Sequence, residues 1–410
     1  MKTLIKYEFT KYLRRKLTMV AMLVSLAVTA LLFGLPCLQF QYVKQEDSIK
    51  GIEGIEAMKE DYADQNVFIT ETLVEESIEE VTELFADKDN VGYDGTEEFL
   101  IGDAYWNNVA PKETLLRLIA SNYVPEGEYA SYESLRTLSK ENAENFYTIR
   151  EDKINEILND STYEMSAAQK AFWREKVDSV KTPIEYGYHE SWKILYTCFE
   201  LFIVAMLSIS ICVAPVFCGE YQSGTDAVIL SGKYGKTKLS TAKIIASMIF
   251  ATLAYLVHVA VALGVIFISF GVSGGNLPIQ ADGLTIPYAL TYSQVMVKNL
   301  VIIYVVLMAI VALTLLLSAK SKNALSVVAV LIPIFFIPVF MSPNGVKGVF
   351  NFILLMMPYR ATMPEIGKYI SFDIFGMTLD LWTVRLILYA LLLTVSIPLA
   401  KNGFRKHQVA

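Results

Sequence analysis

The sequence predicts an all-α polytopic membrane protein with six transmembrane helices and a mainly helical extracellular domain. Of its 410 residues, 54% are hydrophobic and 19% are charged, whereas soluble domains are about a quarter charged. The apolar residues gather into runs near the roughly 20 residues that a helix needs to cross hydrocarbon. Six such runs are present, at about 17–38, 194–217, 244–271, 299–319, 324–341 and 381–400.

Basic residues between these runs predict the orientation of the chain. Lys and Arg are retained on the cytoplasmic side during insertion. The connections assigned to the inside carry 15 Lys and Arg, against four in the short outer loops, namely Lys298, Lys347, Arg360 and Lys368. We therefore expect a multi-pass protein with both termini in the cytoplasm.

The chain is expected to begin with an interfacial segment. Residues 1–16 combine apolar side chains with six cations, which is typical of a short amphipathic helix on the inner membrane surface. Two interpretations remain open: a simple topology anchor, or an interfacial element that also touches a partner. Residues 17–38 then form the first transmembrane helix, because about 22 apolar residues are long for a cleaved signal core.

Residues 41–190 are expected to form an extracellular acidic helical domain. They carry 34 Asp and Glu against 14 Lys and Arg, a net charge of −20, while the rest of the chain sums to +13. Apolar residues between 69 and 85 follow the 3.6-residue period of a helix, and further helices are expected near 111–122, 131–158 and 165–180. None of the four cysteines lies here, so the domain is expected to fold without disulfides.

Residues 194–341 hold transmembrane helices two to five, with a cytoplasmic coupling loop at 218–243. The next stretch, 342–380, is too polar for a plain span but contains an apolar run at 350–357. It is interpreted as an extracellular re-entrant or interfacial segment, with an ordinary loop as the alternative. Residues 381–410 form the sixth transmembrane helix and a basic cytoplasmic tail.

Fragments of catalytic motifs are incomplete in this sequence. Gly235, Lys236 and Thr237 are similar to the end of a phosphate-binding loop, but Leu230 stands where the first glycine belongs. His189 and Glu190 begin a zinc-protease pattern, but Lys193 occupies the position of the second histidine. We therefore predict no catalytic residue and no metal site of these types.

A partial calcium-loop pattern occurs in the acidic domain. Asp87, Asp89, Gly92 and Glu98 occupy positions 1, 3, 6 and 12 of such a loop, while Val91 breaks position 5. The stretch is either a calcium loop or an acidic turn between helices.

Three ionisable residues fall inside predicted spans, where charge is costly. Glu200 and Arg385 lie at similar depths from the outer ends of the second and sixth spans, and this predicts an intramembrane ion pair. Independent snorkelling to the interface and a translocation role for Glu200 are the alternatives. His258 is expected to hydrogen-bond to a neighbouring helix or to carry a proton.

The loop at 218–243 carries the most specific pattern. An acidic residue ends the second span, a Gly–Thr pair and a short apolar helix follow, and a Lys opens the third span. The chain here resembles permease subunits of ABC transporters of the ABC-2 exporter type. The matching residues are Glu220, Gly224, Thr225, Leu230, Ser231 and Lys243.

The resemblance implies a non-catalytic subunit of an ATP-driven exporter in a bacterial plasma membrane. Residues of about 221–236 would dock on a separate ABC ATPase dimer that binds ATP and Mg. Val228 and Leu230 would supply apolar contact there, while Glu220 and Asp226 would be held by hydrogen bonds or cations of the ATPase. A second permease subunit, identical or a close paralogue, and the lipid bilayer are further expected partners, and nucleic acid is not one.

The substrate class that the resemblance implies is broad: an antimicrobial peptide, a drug, a lipid-like compound or an ion. A large insert at 41–190 is similar in position to those of the sodium-efflux, antibiotic-resistance and bacteriocin-immunity branches. The rival interpretation is a membrane sensor or structural protein whose outer domain binds a ligand or peptide without transport. Basic residues at 233–243 favour transport.

Overall fold

The computed structural model describes residues 1–45, 47–62, 65–125, 127–161, 163–232 and 234–407. Within these ranges, the side chain of Leu230 is not described.

The first two helices are separate elements, as the change from amphipathic to apolar sequence predicts. α1 (Lys2–Arg14) presents Glu8 and Tyr12 to the interior and leaves most of its cations exposed. Arg15 has extended backbone angles and ends α1, so that α2 (Lys16–Gln39) starts in a new direction. α2 is long and strongly apolar overall, which is typical of a membrane span.

Residues 41–189, here called the insert, combine short helices with small antiparallel sheets. The pairs β1–β2, β4–β5 and β3–β6 each form a two-stranded sheet. The β3–β6 pair brings residues 67–69 beside residues 184–186 at the end of the insert. The elements are β1 (Gln41–Lys44), β2 (Asp47–Lys50), α3 (Gly51–Asp61), β3 (Val67–Ile69), α4 (Glu71–Ala86), β4 (Val91–Tyr93), β5 (Glu98–Leu100), α5 (Gly102–Asn108), α6 (Glu113–Ala120), α7 (Lys140–Glu144), α8 (Phe146–Asn159), α9 (Ala167–Asp178) and β6 (Ile184–Tyr186).

The helical periodicity noted between residues 69 and 85 corresponds to α4. Its buried side chains Val74, Ile78 and Val81 recur at the three- and four-residue spacing of one helix face. Thr70 caps the helix by accepting a hydrogen bond from the N–H of Leu73 at 3.2 Å.

The rest of the chain is dominated by long apolar helices. The elements are α10 (Glu190–Cys198), α11 (Phe202–Val213), α12 (Pro215–Gln222), α13 (Asp226–Ser231), α14 (Ser240–Phe270), α15 (Tyr292–Lys320), α16 (Ala324–Phe340), α17 (Val349–Met356), α18 (Pro358–Thr362), β7 (Ser371–Ile374), β8 (Met377–Asp380) and α19 (Leu381–Lys406).

Five described helical stretches are long and apolar enough to cross a membrane, and they confirm the all-α polytopic class. They are Lys16–Gln39, Glu190–Gln222, Gly235–Phe270, Tyr292–Lys320 and Leu381–Lys406. The remaining predicted span corresponds to α16, whose 17 residues are at the short end of the spanning range of about 17–25. The count of six crossings therefore stays a prediction.

The membrane part is organised around α15. In α15 and the second span, 61% of the apolar window is buried, against 28% in α2, α14 and α19. The three less buried helices, α2, α14 and α19, therefore expose apolar side chains on the surface of the bundle, where lipid would be the solvent. Asn299 of α15 donates from Nδ2 to the backbone oxygen of Thr362 at 2.8 Å and fastens α18 to this centre.

Residues 342–380 form two short helices and a hairpin. α17 has eight residues and is about 12 Å long, too short to cross hydrocarbon. β7 and β8 pair antiparallel directly before α19. The helix agrees with the apolar run at 350–357, and its placement at the membrane surface stays a prediction.

The insert packs on the connections that precede α15 and α19. The buried indole of Trp173 donates to the hydroxyl of Ser371 at 3.0 Å and contacts the rings of Tyr288 and Tyr369. Arg150 donates from Nε to the backbone oxygen of Leu284 at 2.8 Å. The insert is thus bonded to the membrane part at points far from its own attachment to α2 and α10.

Candidate functional site

The predicted coupling loop begins with a tight turn after α12. Gly224 has φ +67°, a left-handed conformation that glycine adopts without a steric penalty, and it ends the helix. Thr225 then donates from Oγ1 to Glu220 Oε2 at 2.6 Å, and its N–H bonds to the backbone oxygen of Glu220 at 3.1 Å. The Gly–Thr pair therefore aims α13 away from α12 and orients the Glu220 carboxylate.

Glu220 belongs to a cluster of four charges from three helices. Lys243 of α14 lies 2.6 Å from Glu220 Oε1 and 3.0 Å from Oε2 of Glu8 in α1. Lys11 lies 2.9 Å from Glu8 Oε1 and 3.6 Å from Glu220 Oε1. This four-charge cluster, Glu8, Lys11, Glu220 and Lys243, joins α1, α12 and α14 at one point.

Burial strengthens the interactions among the four charges of the cluster. Lys243 is only 3% exposed, so its ammonium relies on the two carboxylates in place of water. Partial burial acts against a charged Lys11, but its hydrogen bond to Glu8 and the negative charges of Glu8 and Glu220 raise the pKa of Lys11 above its ordinary value. The two carboxylates and two ammonium groups are thus each other's nearest charged partners.

α1 is also fastened to α14 by an aromatic side chain. The hydroxyls of Tyr12 and Ser247 share a hydrogen bond of 2.7 Å. The Tyr12 ring stacks on Phe250 with centroids 4.4 Å apart and an interplanar angle of 9°. α1 is therefore packed against a membrane helix of its own chain, which exceeds what a topology anchor requires.

α12 is positioned by α15. Pro215 has no N–H to donate, and the backbone N–H groups of Phe217 and Cys218 donate to the Ser318 hydroxyl at 3.0 and 3.1 Å. Tyr221 donates to the backbone oxygen of Ala319 at 3.2 Å. These contacts fix the end of α12 and with it the position of Glu220.

α13 stands out from these supports as a short exposed helix. Val228 is 76% exposed. Gly235 closes the segment against Ile229, where a Cβ would lie 1.7 Å from the Ile229 carbonyl oxygen, so a side chain at this position would be excluded. Leu230 was expected to supply apolar contact, but its side chain lies outside the described part of the chain. Lys233 also lies outside the described residues.

Asp226 has a neighbour within the chain: it is buried, and its Oδ2 lies 3.2 Å from His407 Nε2. The expected hydrogen bonds or cations from an ATPase stay a prediction. The His407 ring also stacks on Tyr221 at 3.7 Å. Glu220 likewise has its cations within the chain, because folding brings α1 and α14 to it.

Glu200 and Arg385 do not form the predicted ion pair, because each has a different partner. Arg385 is fully buried, donates to Glu365 Oε2 at 2.9 Å, and makes further bonds to the backbone oxygens of Leu355 and Met363. Glu200 accepts a hydrogen bond from the Tyr359 hydroxyl at 2.8 Å. Similar depth in the membrane did not decide the pairing, because residues 342–380 supply partners between the two helices.

His258 of α14 has the helix partner that was expected. Its Nε2 lies 2.9 Å from the hydroxyl of Ser25 in α2, and its Nδ1 lies 2.7 Å from the backbone oxygen of Ala254. The hydrogen bond between neighbouring helices is confirmed.

The acidic stretch at 87–98 forms a turn and the β4–β5 hairpin between α4 and α5. Asp87 accepts a hydrogen bond from the N–H of Asp89, and Gly92 is paired with Phe99. Across the described ranges, no group of three or more His, Cys, Asp and Glu side chains is arranged to hold a metal ion.

Sequence reasoning missed Glu8, Lys11, Ser318 and His407. Glu8 is the one acid among the cations of residues 1–16, and it falls on the same helix face as Tyr12, four residues on. That isolated acid on an apolar face was the available signal. The roles of Ser318 and His407 depend on contacts with distant elements and had no local signal.

Fold and site together define a helical membrane protein in which buried charges join the N-terminal helix α1 to α12 and α14, beside the short exposed helix α13. The sequence-family model that describes the ABC-2 family transporter proteins matches residues 3–393 of the chain. The chain therefore belongs to the ABC-2 family transporter proteins and is a membrane component of that transporter type. No curated protein and no solved structure matches the chain significantly.

Proposed function

We propose that the chain is the membrane-spanning permease subunit of an ATP-driven exporter in a bacterial plasma membrane. The observation that carries the proposal is α13, an exposed helix whose base is bonded to the four-charge cluster. Family membership supports an ABC ATPase as the partner, and the ATPase would bind the ATP and Mg. In this proposal the chain itself is not catalytic.

In the proposed mechanism, closure of the ATPase dimer pushes on residues 221–236. Glu220 and Lys243 transmit this movement to α12 and α14, and Glu8 transmits it to α1. The spans then shift together between two arrangements, because a buried charge network favours discrete states over gradual sliding. A second permease subunit, identical or paralogous, completes the pathway.

The insert is proposed to lie outside the cell and to accept the substrate or gate its exit. Its contacts with Leu284 and Ser371 support this role, since they join it to the connections before α15 and α19. A peptide, drug, lipid-like compound or ion is the proposed substrate class. A sensor without transport remains the rival function, and the ATPase experiment distinguishes the two.

The test is Val228→Asp in the full chain, co-expressed with the ABC ATPase that co-purifies with the wild-type chain. Because Val228 is exposed, the variant should insert and fold normally. A charge without a partner in an apolar contact costs on the order of 3 kcal/mol, about a hundredfold in affinity. The ATPase should therefore be lost on purification, and stimulation of ATP hydrolysis should disappear.

The matched control is Val43→Asp, the same change at an exposed residue of β1 in the insert. It should leave ATPase association unchanged. If Val228→Asp retains the ATPase at wild-type stoichiometry and stimulation, the docking role of α13 is wrong and the sensor function is favoured. Leu230→Asp tests the second apolar residue of the same helix.

A further inference from the structure

A cavity of about 780 Å³ lies between α1, Arg15 and α12, and Lys243 of α14 also lines it. Five cations and two carboxylates line it, together with apolar atoms of Tyr7, Tyr12, Pro215 and Val216. The volume is within the range of about 300–1,000 Å³ that is typical of small-molecule sites. Its charge predicts an anionic ligand.

The positive charge of the cavity is only partly balanced from within the chain. Glu8 and Glu220 are occupied by Lys11 and Lys243 in the four-charge cluster. Over the described part of the chain, no carboxylate forms an ion pair with the other three lining cations. These three are Lys6, Arg14 and Arg15.

Arg15 points across the cavity toward α12. A Cβ placed on Gly219 would lie 4.0 Å from Arg15 Nη2, so the guanidinium lies over the one lining position of α12 that has no side chain. The absence of a side chain at Gly219 leaves open the space between the guanidinium and the helix. Guanidinium groups bind phosphate oxygens in a bidentate manner.

The position of the cavity selects the source of the phosphate. Arg14 and Arg15 lie at the junction between α1 and the first apolar span, which is the level of the headgroups. Leu13 and Leu17 flank the two arginines and are exposed, which places an apolar surface beside the basic cavity. A free phosphate would make no apolar contact with that surface, whereas the acyl chains of a lipid would bury it.

We propose that this cavity binds the phosphate headgroup of an anionic phospholipid, with its acyl chains against Leu13 and the start of α2. The bound lipid would fill the space between α1 and α12 beside the four-charge cluster. Basic cavities at the cytoplasmic ends of membrane helices suit such headgroups. The proposal uses the membrane location of the chain and does not depend on ATPase docking.

The experiment measures lipid binding to the purified full chain by native mass spectrometry, in micelles containing phosphatidylcholine. Phosphatidylglycerol is the titrated probe, and one molecule per chain is expected to bind tightly. Arg14→Gln with Arg15→Gln should weaken this binding roughly thirtyfold, since each basic residue at the headgroup level contributes about a factor of five. Lys320→Gln with Lys322→Gln removes the same charge outside the cavity and should change binding less than twofold.

Two further variants keep the test decisive if the arginine pair disturbs insertion. Lys6→Gln changes an exposed residue away from the span junction and should weaken binding about fivefold. Gly219→Leu fills the cavity without changing charge and should also weaken binding. Thermal unfolding in phosphatidylcholine checks that each variant is folded.

A second arm distinguishes the lipid from free phosphate. Glycerol 3-phosphate should not displace phosphatidylglycerol at concentrations comparable to those of the lipid. Displacement at such concentrations would overturn the lipid assignment in favour of a soluble phosphate compound. Wild-type binding by the arginine double variant, or by both Lys6→Gln and Gly219→Leu, would overturn the site itself. Loss of the ATPase in Val228→Asp is independent of either result.

Discussion

Lys243 is nearly excluded from water, so the two carboxylates that it contacts determine what its removal costs. Lys243→Gln should destabilise the protein by about 3 kcal/mol or more, because Glu8 and Glu220 would be left close together with only Lys11 between them. Adding Glu220→Gln to that variant should cost less than the sum of the single changes. Thermal unfolding in detergent measures both effects.

A matched control for this prediction is Lys347→Gln. Lys347 also forms a short ion pair, with Glu164 at 2.7 Å, but the two side chains are 61% and 64% exposed. Exposed pairs contribute about 1 kcal/mol or less. Equal losses for Lys243→Gln and Lys347→Gln would contradict the importance of burial for the four-charge cluster.

Arg385 leads to a second prediction at the residue scale. Arg385→Gln and Glu365→Gln should be strongly non-additive, because removing either partner leaves the other charge buried. Arg385→Gln and Glu200→Gln should instead add within about 0.5 kcal/mol, since the structure assigns them different partners. Double-mutant cycles on unfolding free energy make the measurement. Coupling of Arg385 to Glu200 that exceeds its coupling to Glu365 would restore the original pairing.

At the scale of elements, α1 is held against α14 by the side chain of Tyr12. Tyr12→Ala removes the hydrogen bond to Ser247 and the stacking on Phe250, each of which contributes about 0.5–1.5 kcal/mol. Amide hydrogen exchange in residues 2–14 should therefore accelerate roughly tenfold. Tyr7→Ala, on the exposed side of the same helix, should change exchange less than about twofold.

The opposite ordering of these two variants would show that α1 is held by the membrane surface alone. In that case its contacts with α14 would be incidental.

At the scale of the whole molecule, the 15-to-4 distribution of basic residues predicts the side on which each connection lies. In a Cys-less version, Glu60→Cys and Lys236→Cys should react with a membrane-impermeant maleimide from opposite sides. The four native cysteines are buried, and alanine is a small apolar replacement for each of them. Labelling of both positions from one side would end the proposed orientation.

The same assay determines whether α16 crosses the membrane. Lys322→Cys and Asn344→Cys lie before and after it at exposed positions. They should label from the inside and the outside respectively if the six-span count is correct. Same-side labelling would make α16 a re-entrant helix and leave five crossings.

Sequence alone determined the class of this protein and much of its element order. Continuous apolar runs of about 20 residues specify membrane helices. Hydrocarbon offers no hydrogen-bond partner for the backbone, and a helix satisfies its N–H and C=O groups within the same segment. α4 was predicted because a 3.6-residue apolar period has one simple solution. The order of Glu220, Gly224, Thr225 and Lys243 in one loop, taken together with the apolar spans, indicated the family, and the match over residues 3–393 confirms it.

Only the tertiary structure decided which charges meet. Glu8 bonds to Lys243 across 235 positions, and Arg385 selects Glu365 over Glu200. Counting residues along a helix gives the depth of a side chain in the membrane, but pairing also depends on the rotation of each helix and on its neighbours. Those two quantities follow from side-chain packing among all the helices at once, and no local stretch of sequence contains them.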